Sequence, residues 1–246
     1  MSTTFARCDQ EQALVLHSIP YRETSLVVEI FSAAHGRLAL VARGARRPRS
    51  ALRGLMQAFQ PLVLSWSGKG ELRTLHKAEW LGGLPALPGP ALLCGFYLNE
   101  LLLKLLPRED PHPALYQNYL LVLGQLASGE GPEANLRAFE LRLLAELGYA
   151  PRLDKEAGSG QPIDPLARYH YVFDRGPQRE AEDVYPQVHG ATLLALTRGD
   201  WREARCAREA KQLMREILQH HLEQRGLFSR QLLVDLQDLE EREGST

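Results

Sequence analysis

The sequence predicts an α+β chain in which a small five-stranded barrel is followed by an all-helical domain, and three observations carry that reading. Between Gln12 and Trp80 the apolar residues come in short runs bounded by turn formers, as strands do. Leu81 to Pro90, LGGLPALPGP, is rich in Gly and Pro, the composition of a connection between domains. Beyond it the apolar residues recur at spacings of three and four, the period of helices. The expected organisation is therefore a barrel over residues 1–80, a linker over 81–90 and a helical domain over 91–246.

The barrel strands are expected at Ala13 to Leu16, Leu26 to Phe31, Arg37 to Val41, Leu62 to Trp66 and Leu72 to Leu75. Between the third and fourth, Ser50 is a candidate N-cap for a short helix over Ala51 to Ala58, weakened by Gly54. Five strands with a helix after the third is the layout of an OB-fold, although pattern alone does not separate it from an SH3-like barrel.

In the helical part, Pro90 opens a helix to Leu106 whose apolar residues cover most of its circumference, so it should be central. A second helix is expected over Pro113 to Ala127. A third opens at Pro132, carries the stripe Leu136, Phe139, Leu143 and Leu147, and stops at Gly148. Residues 151–186 lose the period and read as an irregular insert, with Tyr169 to Phe173 as a short strand. Helices resume over Ala191 to Leu196 and Trp201 to Arg225, the latter ending at Gly226. A last one follows Ser229, and the acidic tail Asp235 to Glu243 is expected to fray.

Charge divides the chain the same way. Residues 1–80 hold 11 Lys/Arg against 6 Asp/Glu, a balance of +5, while residues 81–246 hold 18 against 24, a balance of −6. The basic part is the one to face an anionic partner. Its centre is Gly36 to Arg53, GRLALVARGARRPRSALR, which contains Arg37, Arg43, Arg46, Arg47, Arg49 and Arg53 and no acidic residue. Guanidinium groups suit phosphate because they donate in pairs and stay charged. A basic loop springing from a barrel strand points to a nucleic-acid surface, with Lys69 and Arg73 as further candidate contacts. Single strands also stack on aromatic rings, and Tyr21 and Trp66, near strand ends, are the candidates, whereas Phe31 reads as core.

Other chemistry lacks its usual marks. There is no G-x-x-x-x-G-K loop and no G-x-S-x-G elbow, and the carboxylates do not pair as a metal-dependent nuclease requires. The three cysteines, Cys8, Cys94 and Cys206, fit no C-x-x-C spacing, so no zinc site built on cysteines is expected, and no metal or cofactor. Their odd count, the absence of an apolar N-terminal segment and the polar breaks in the longest apolar run predict a cytoplasmic, non-enzymatic binding protein. On residues alone, an OB-fold RNA-binding protein of translation or RNA processing remains an alternative.

Several strings resemble one family, the bacterial recombination mediator RecO. They are Tyr21-Arg22-Glu23-Thr24-Ser25-Leu26, Val41-Ala42-Arg43-Gly44-Ala45-Arg46 with Ser50, Tyr97-Leu98-Asn99-Glu100-Leu101-Leu102, Phe139-Glu140-Leu141 with Leu147-Gly148-Tyr149, and Ser229-Arg230. The resemblance implies an OB-fold, a helical domain and a nucleoid-associated role. That role is to bind single-stranded DNA, anneal complementary strands and, with RecR, load RecA onto DNA coated by single-strand-binding protein (SSB); double-stranded DNA is left open as a ligand. Many members carry a four-cysteine zinc module where this chain has Leu153 to Asp164, so the resemblance is to a branch without the metal. It also implies a receptor for the acidic C-terminal tail of SSB, which needs an apolar groove and a cation. Arg137 is the candidate cation and Arg142 the second, with Tyr119, Leu120 and Leu136 as walls; pairing of Arg137 with Glu133 is the structural alternative.

Overall fold

The computed structural model describes residues 7–180, 185–200, 202–222, 227 and 229. Five strands come first: β1 (Arg7–Tyr21), β2 (Ser25–Ser32), β3 (Gly36–Ala42), β4 (Pro61–Ser67) and β5 (Leu72–Trp80). They form a closed barrel in the order β1-β2-β3-β5-β4, with β1 closing on β4 and β3 parallel to β5. This is the OB-fold, an α+β chain with helices following. Alternate residues point inward, so Ala13, Val15, Val28, Ile30, Leu38, Leu40, Leu62, Leu64 and Trp66 make one core.

The continuous run Ala13-Leu14-Val15-Leu16 has a second cause. Helices α1 (Gly89–Leu105) and α2 (Pro113–Ser128) cover the outer side of β1 and β2, burying Leu14, Leu16 and Phe31 completely. Phe31 meets Tyr116 edge-on at 5.6 Å, and Asn99 of α1 donates to the Leu16 carbonyl at 2.7 Å. A strand buried on both faces reads as an unbroken apolar run. Accordingly, one compact unit takes in residues 1–130 and 227–246, and the other residues 131–226. The linker over 81–90 joins barrel to helix, but α1 and α2 group with the barrel.

The second unit contains α3 (Pro132–Glu146), β6 (Arg168–Val172), β7 (Gly176–Gln178), β8 (Gln187–His189), α4 (Gly190–Arg198) and α5 (Ala204–His221). Helix α5 buries Cys206, Ala210, Leu213, Met214, Ile217 and Leu218 at helical spacing and packs on α3 and α4. Residues 151–186 are more regular than the sequence suggested. They supply β6 and β7 of a three-stranded sheet ordered β7-β6-β8 and a turn closed by the Lys155↔Pro162 bridge. Leu153 and Ile163 are buried at the base of that turn.

The helix expected over Ala51 to Ala58 does not form. Gly54 takes φ 87, Phe59 takes φ 66, and the Ser50 hydroxyl accepts the Leu52 N–H in a local turn. The ends of the expected Trp201 to Arg225 helix, the helix after Ser229 and the acidic tail lie outside the described residues.

Candidate nucleic-acid interface

The connection from β3 to β4, residues 43–60, is built from successive tight turns. Arg47 donates its N–H to Gly44 at 3.0 Å, Ser50 to Arg47 at 3.1 Å, Arg53 to Ser50 at 3.1 Å and Leu55 to Leu52 at 3.2 Å. Its apolar residues are drawn inward: Met56 enters the barrel core, and Leu52 and Leu55 pack against it. What remains outside is Arg43, Arg46, Arg47, Arg49 and Arg53, all exposed. None of the five is ion-paired to a carboxylate among the described residues.

Three hydrogen bonds tie this loop to the turn between β1 and β2. The Arg46 N–H reaches the Thr24 carbonyl at 2.8 Å, its guanidinium the Glu23 carbonyl at 3.4 Å, and the Gly44 N–H the Ser25 hydroxyl at 3.4 Å. Tyr21 stands at that turn, half-buried, with the Arg22 guanidinium 5.1 Å over its ring. Arg22 is exposed and joins the basic surface, although the sequence reading did not select it; the Tyr-Arg pair beside a turn was the signal.

Other predicted contacts lie elsewhere. Arg37 is turned inward: it pairs with Glu29 at 3.4 Å, donates to the Leu106 carbonyl at 3.1 Å and is half-buried. Burial pulls its pKa below the ordinary guanidinium value, with Glu29 opposing. Arg73 pairs with Glu109 at 2.9 Å with little exposed surface. Trp66 is 1% exposed and belongs to the core, so it offers no stacking face. Lys69 is exposed on the turn between β4 and β5. The pairing Ala39↔Leu72 sets that turn beside the first half of β3, whereas the arginine loop leaves its far end.

The residues assigned to a peptide groove are also redistributed. Tyr119 is fully buried, and its hydroxyl donates to Asn99, so it is no groove wall. Arg137 is 8% exposed, pairs with Glu140 and donates to the Lys211 carbonyl at 3.4 Å; it is not an open cation. Nor does it pair with Glu133, which is held by Lys211 at 3.0 Å. Arg142 is exposed and pairs with Glu146, while Leu120 and Leu136 are half-buried. Tyr119 and Leu120 fall in the first compact unit, and Leu136, Arg137 and Arg142 in the second.

Comparison with known proteins bears on the whole chain. The family models "Recombination protein O N terminal" and "Recombination protein O C terminal" match residues 7–84 and 89–231. The chain belongs to the RecO family. A DNA repair protein RecO of Aromatoleum aromaticum is 53% identical over 235 residues, covering 95% of this chain and 98% of that protein. Proteins of the same name from Azoarcus sp. and Nitrosospira multiformis are 50% and 49% identical, over 95% and 97% of this chain and 98% and 100% of theirs.

Within the RecO C-terminal match, the turn over 153–164 is held without cysteines, by the Glu156 N–H to Gln161 at 2.8 Å and the Ile163 N–H to Asp154 at 3.1 Å. The two RecO models meet in the Gly- and Pro-rich linker, which separates family segments even though α1 and α2 pack on the barrel. Among the described residues no helix is long and apolar enough to cross a membrane.

Proposed function

We propose that the protein is a non-catalytic DNA repair and recombination mediator that holds single-stranded DNA along its arginine loop. One observation carries this reading: five exposed arginines, unpaired with any described carboxylate, stand on the β3 to β4 connection of an OB-fold in a RecO-family chain. Five guanidinium groups in eleven residues favour a phosphate backbone, and Tyr21 at the adjoining turn supplies one ring for a base. In this reading the protein anneals complementary strands and, with RecR, helps RecA replace SSB. The SSB tail is placed in this reading on α3, where Arg142, exposed though paired with Glu146, is the cation and the half-buried Leu136 the apolar residue.

The test is fluorescence anisotropy of a labelled single-stranded oligonucleotide with wild type and the Arg43→Glu/Arg46→Glu/Arg47→Glu variant. Loss of DNA binding with an unchanged melting temperature supports the proposal. Unchanged affinity at low salt would remove the loop from the interface, and strong preference for RNA of equal length would overturn DNA as the ligand.

A further inference from the structure

We propose that Cys8, Glu11 and His35 form a binding site for a zinc-type divalent cation at the end of β3 opposite the arginine loop. The residues come from two places in the chain: Cys8 and Glu11 stand three apart on β1, and His35 lies in the turn between β2 and β3. No linear ligand spacing joins them, which is why the cysteine count gave no sign of a site.

The backbone brings them together by an irregularity. In a regular strand, residues three apart point to opposite faces. Here Cys8 faces Trp66 and Glu11 faces Leu64 on β4, so three steps along β1 answer two along its partner. The extra residue is a β-bulge. Gln10 takes φ 57 within it and donates its N–H to the Ser65 hydroxyl at 3.1 Å. The bulge turns the Cys8 and Glu11 side chains to one side, toward His35. Strained non-glycine backbone that is held by its surroundings is a pointer to a functional site.

The ligand atoms then meet. Cys8 Sγ and His35 Nε2 are 3.3 Å apart, and one atom from each of the three residues lies within 4.8 Å of the other two. A tetrahedral zinc ion with ordinary sulfur and nitrogen bond lengths separates those two ligands by about 3.6 Å. Each side chain is also positioned. The Glu11 carboxylate accepts the Ala34 N–H at 3.2 Å, the His35 N–H donates to the Ser32 hydroxyl at 3.0 Å, and the imidazole packs edge-on against Trp66 at 5.4 Å.

Burial first, then the negative charges of Glu11 and Asp9, raise the Cys8 thiol pKa, so without an ion the neutral thiol is favoured. The opposing cation, Arg73, is itself neutralised by Glu109. A divalent ion reverses this balance by stabilising the thiolate. One thiolate, one imidazole and one carboxylate are the borderline donor set of zinc and cobalt rather than of magnesium or calcium. Three protein ligands leave a fourth position for water. All three residues are half-buried, so the site is reachable from solvent. Occupied, it would fasten the start of β1 to the turn between β2 and β3.

This inference does not depend on DNA binding. The full chain, reduced and stripped of metal with a chelator, is titrated with Co²⁺. The expected result is one ion per chain with a thiolate-to-cobalt charge-transfer band and the intense visible bands of four-coordinate cobalt, both displaced by Zn²⁺. Cys8→Ser abolishes the charge-transfer band, and His35→Ala weakens affinity at least about tenfold. Absence of saturable uptake, or a band that survives in Cys8→Ser, would overturn the site. A second measurement needs no variant: Zn²⁺ should slow alkylation of Cys8, mapped by mass spectrometry, several-fold while leaving Cys94 and Cys206 unchanged. An unaltered Cys8 rate would equally overturn it.

Discussion

Replacing Arg43, Arg46 and Arg47 by alanine removes three of the five exposed cations of the β3 to β4 loop, and the consequence is a change of salt dependence. Each phosphate contact on a single strand contributes roughly −0.7 to the slope of log K against log salt. Five contacts give about −3.5 and two give about −1.4. Between about 50 and 200 mM salt the wild type should therefore lose about 100-fold in affinity and the variant about sevenfold. Anisotropy titrations of one labelled oligonucleotide at four or five salt concentrations measure both slopes. Arg37→Gln is the control, because that guanidinium is engaged by Glu29 and the Leu106 carbonyl and should leave the slope unchanged. A triple variant with the wild-type slope, or an Arg37 variant that shifts it by a full contact, would refute the assignment of the loop.

The same contacts predict effects on stability. Arg37→Leu leaves Glu29 with a weakened set of partners and should cost roughly 1–3 kcal/mol in chemical denaturation. Gly36→Ala should be worse, since the residue sits at φ 66 and an added Cβ would overlap the Asp110 carbonyl; a melting temperature near wild type would contradict that packing. Asn99→Ala removes the bridge between the Leu16 carbonyl and the Tyr119 hydroxyl and should cost about 1–3 kcal/mol by the same measurement. In the second unit, burial pushes the Glu209 carboxyl up, but the Thr192 hydroxyl and the His189 amide and ring outweigh it and hold the pKa below the ordinary value. Its stabilisation is present above the ordinary carboxylate range and lost as pH falls through the lowered value, so Glu209→Gln should flatten the acid limb of a stability–pH curve.

The barrel is legible because its apolar residues come in short runs bounded by turn formers, and the helices because Pro and Gly mark their ends. Where the reading failed, a local rule had been overridden. Trp66 lies near a strand end, yet it shares its phase with the buried Leu62 and Leu64, and a count of two along β4 puts it inside. Helix α3 buries Arg137, Phe139, Glu140, Leu143 and Leu144, a face rotated from the stripe that began at Leu136. Arg137 and Glu140 on that face pair at a spacing of three, which hydrophobic periodicity does not register. Arg37 pairs with Glu29 across the β2 to β3 hairpin and Arg73 with Glu109 much farther along the chain, contacts that charge counting does not register, so it overstates the free cations. The bulge at Gln10 left no compositional trace, and with it went any view of Cys8, Glu11 and His35 as neighbours.

Because Met56, Leu52 and Leu55 anchor the arginine loop into the barrel, its conformational freedom is given up during folding and not during association. A strand laid on such a loop orders little protein and covers little apolar surface. Calorimetry should then find a small heat-capacity change and a favourable entropy from released counterions, with enthalpy almost independent of base sequence. In the proposed reading, a loop anchored in this way releases one stretch of DNA and takes the next without refolding.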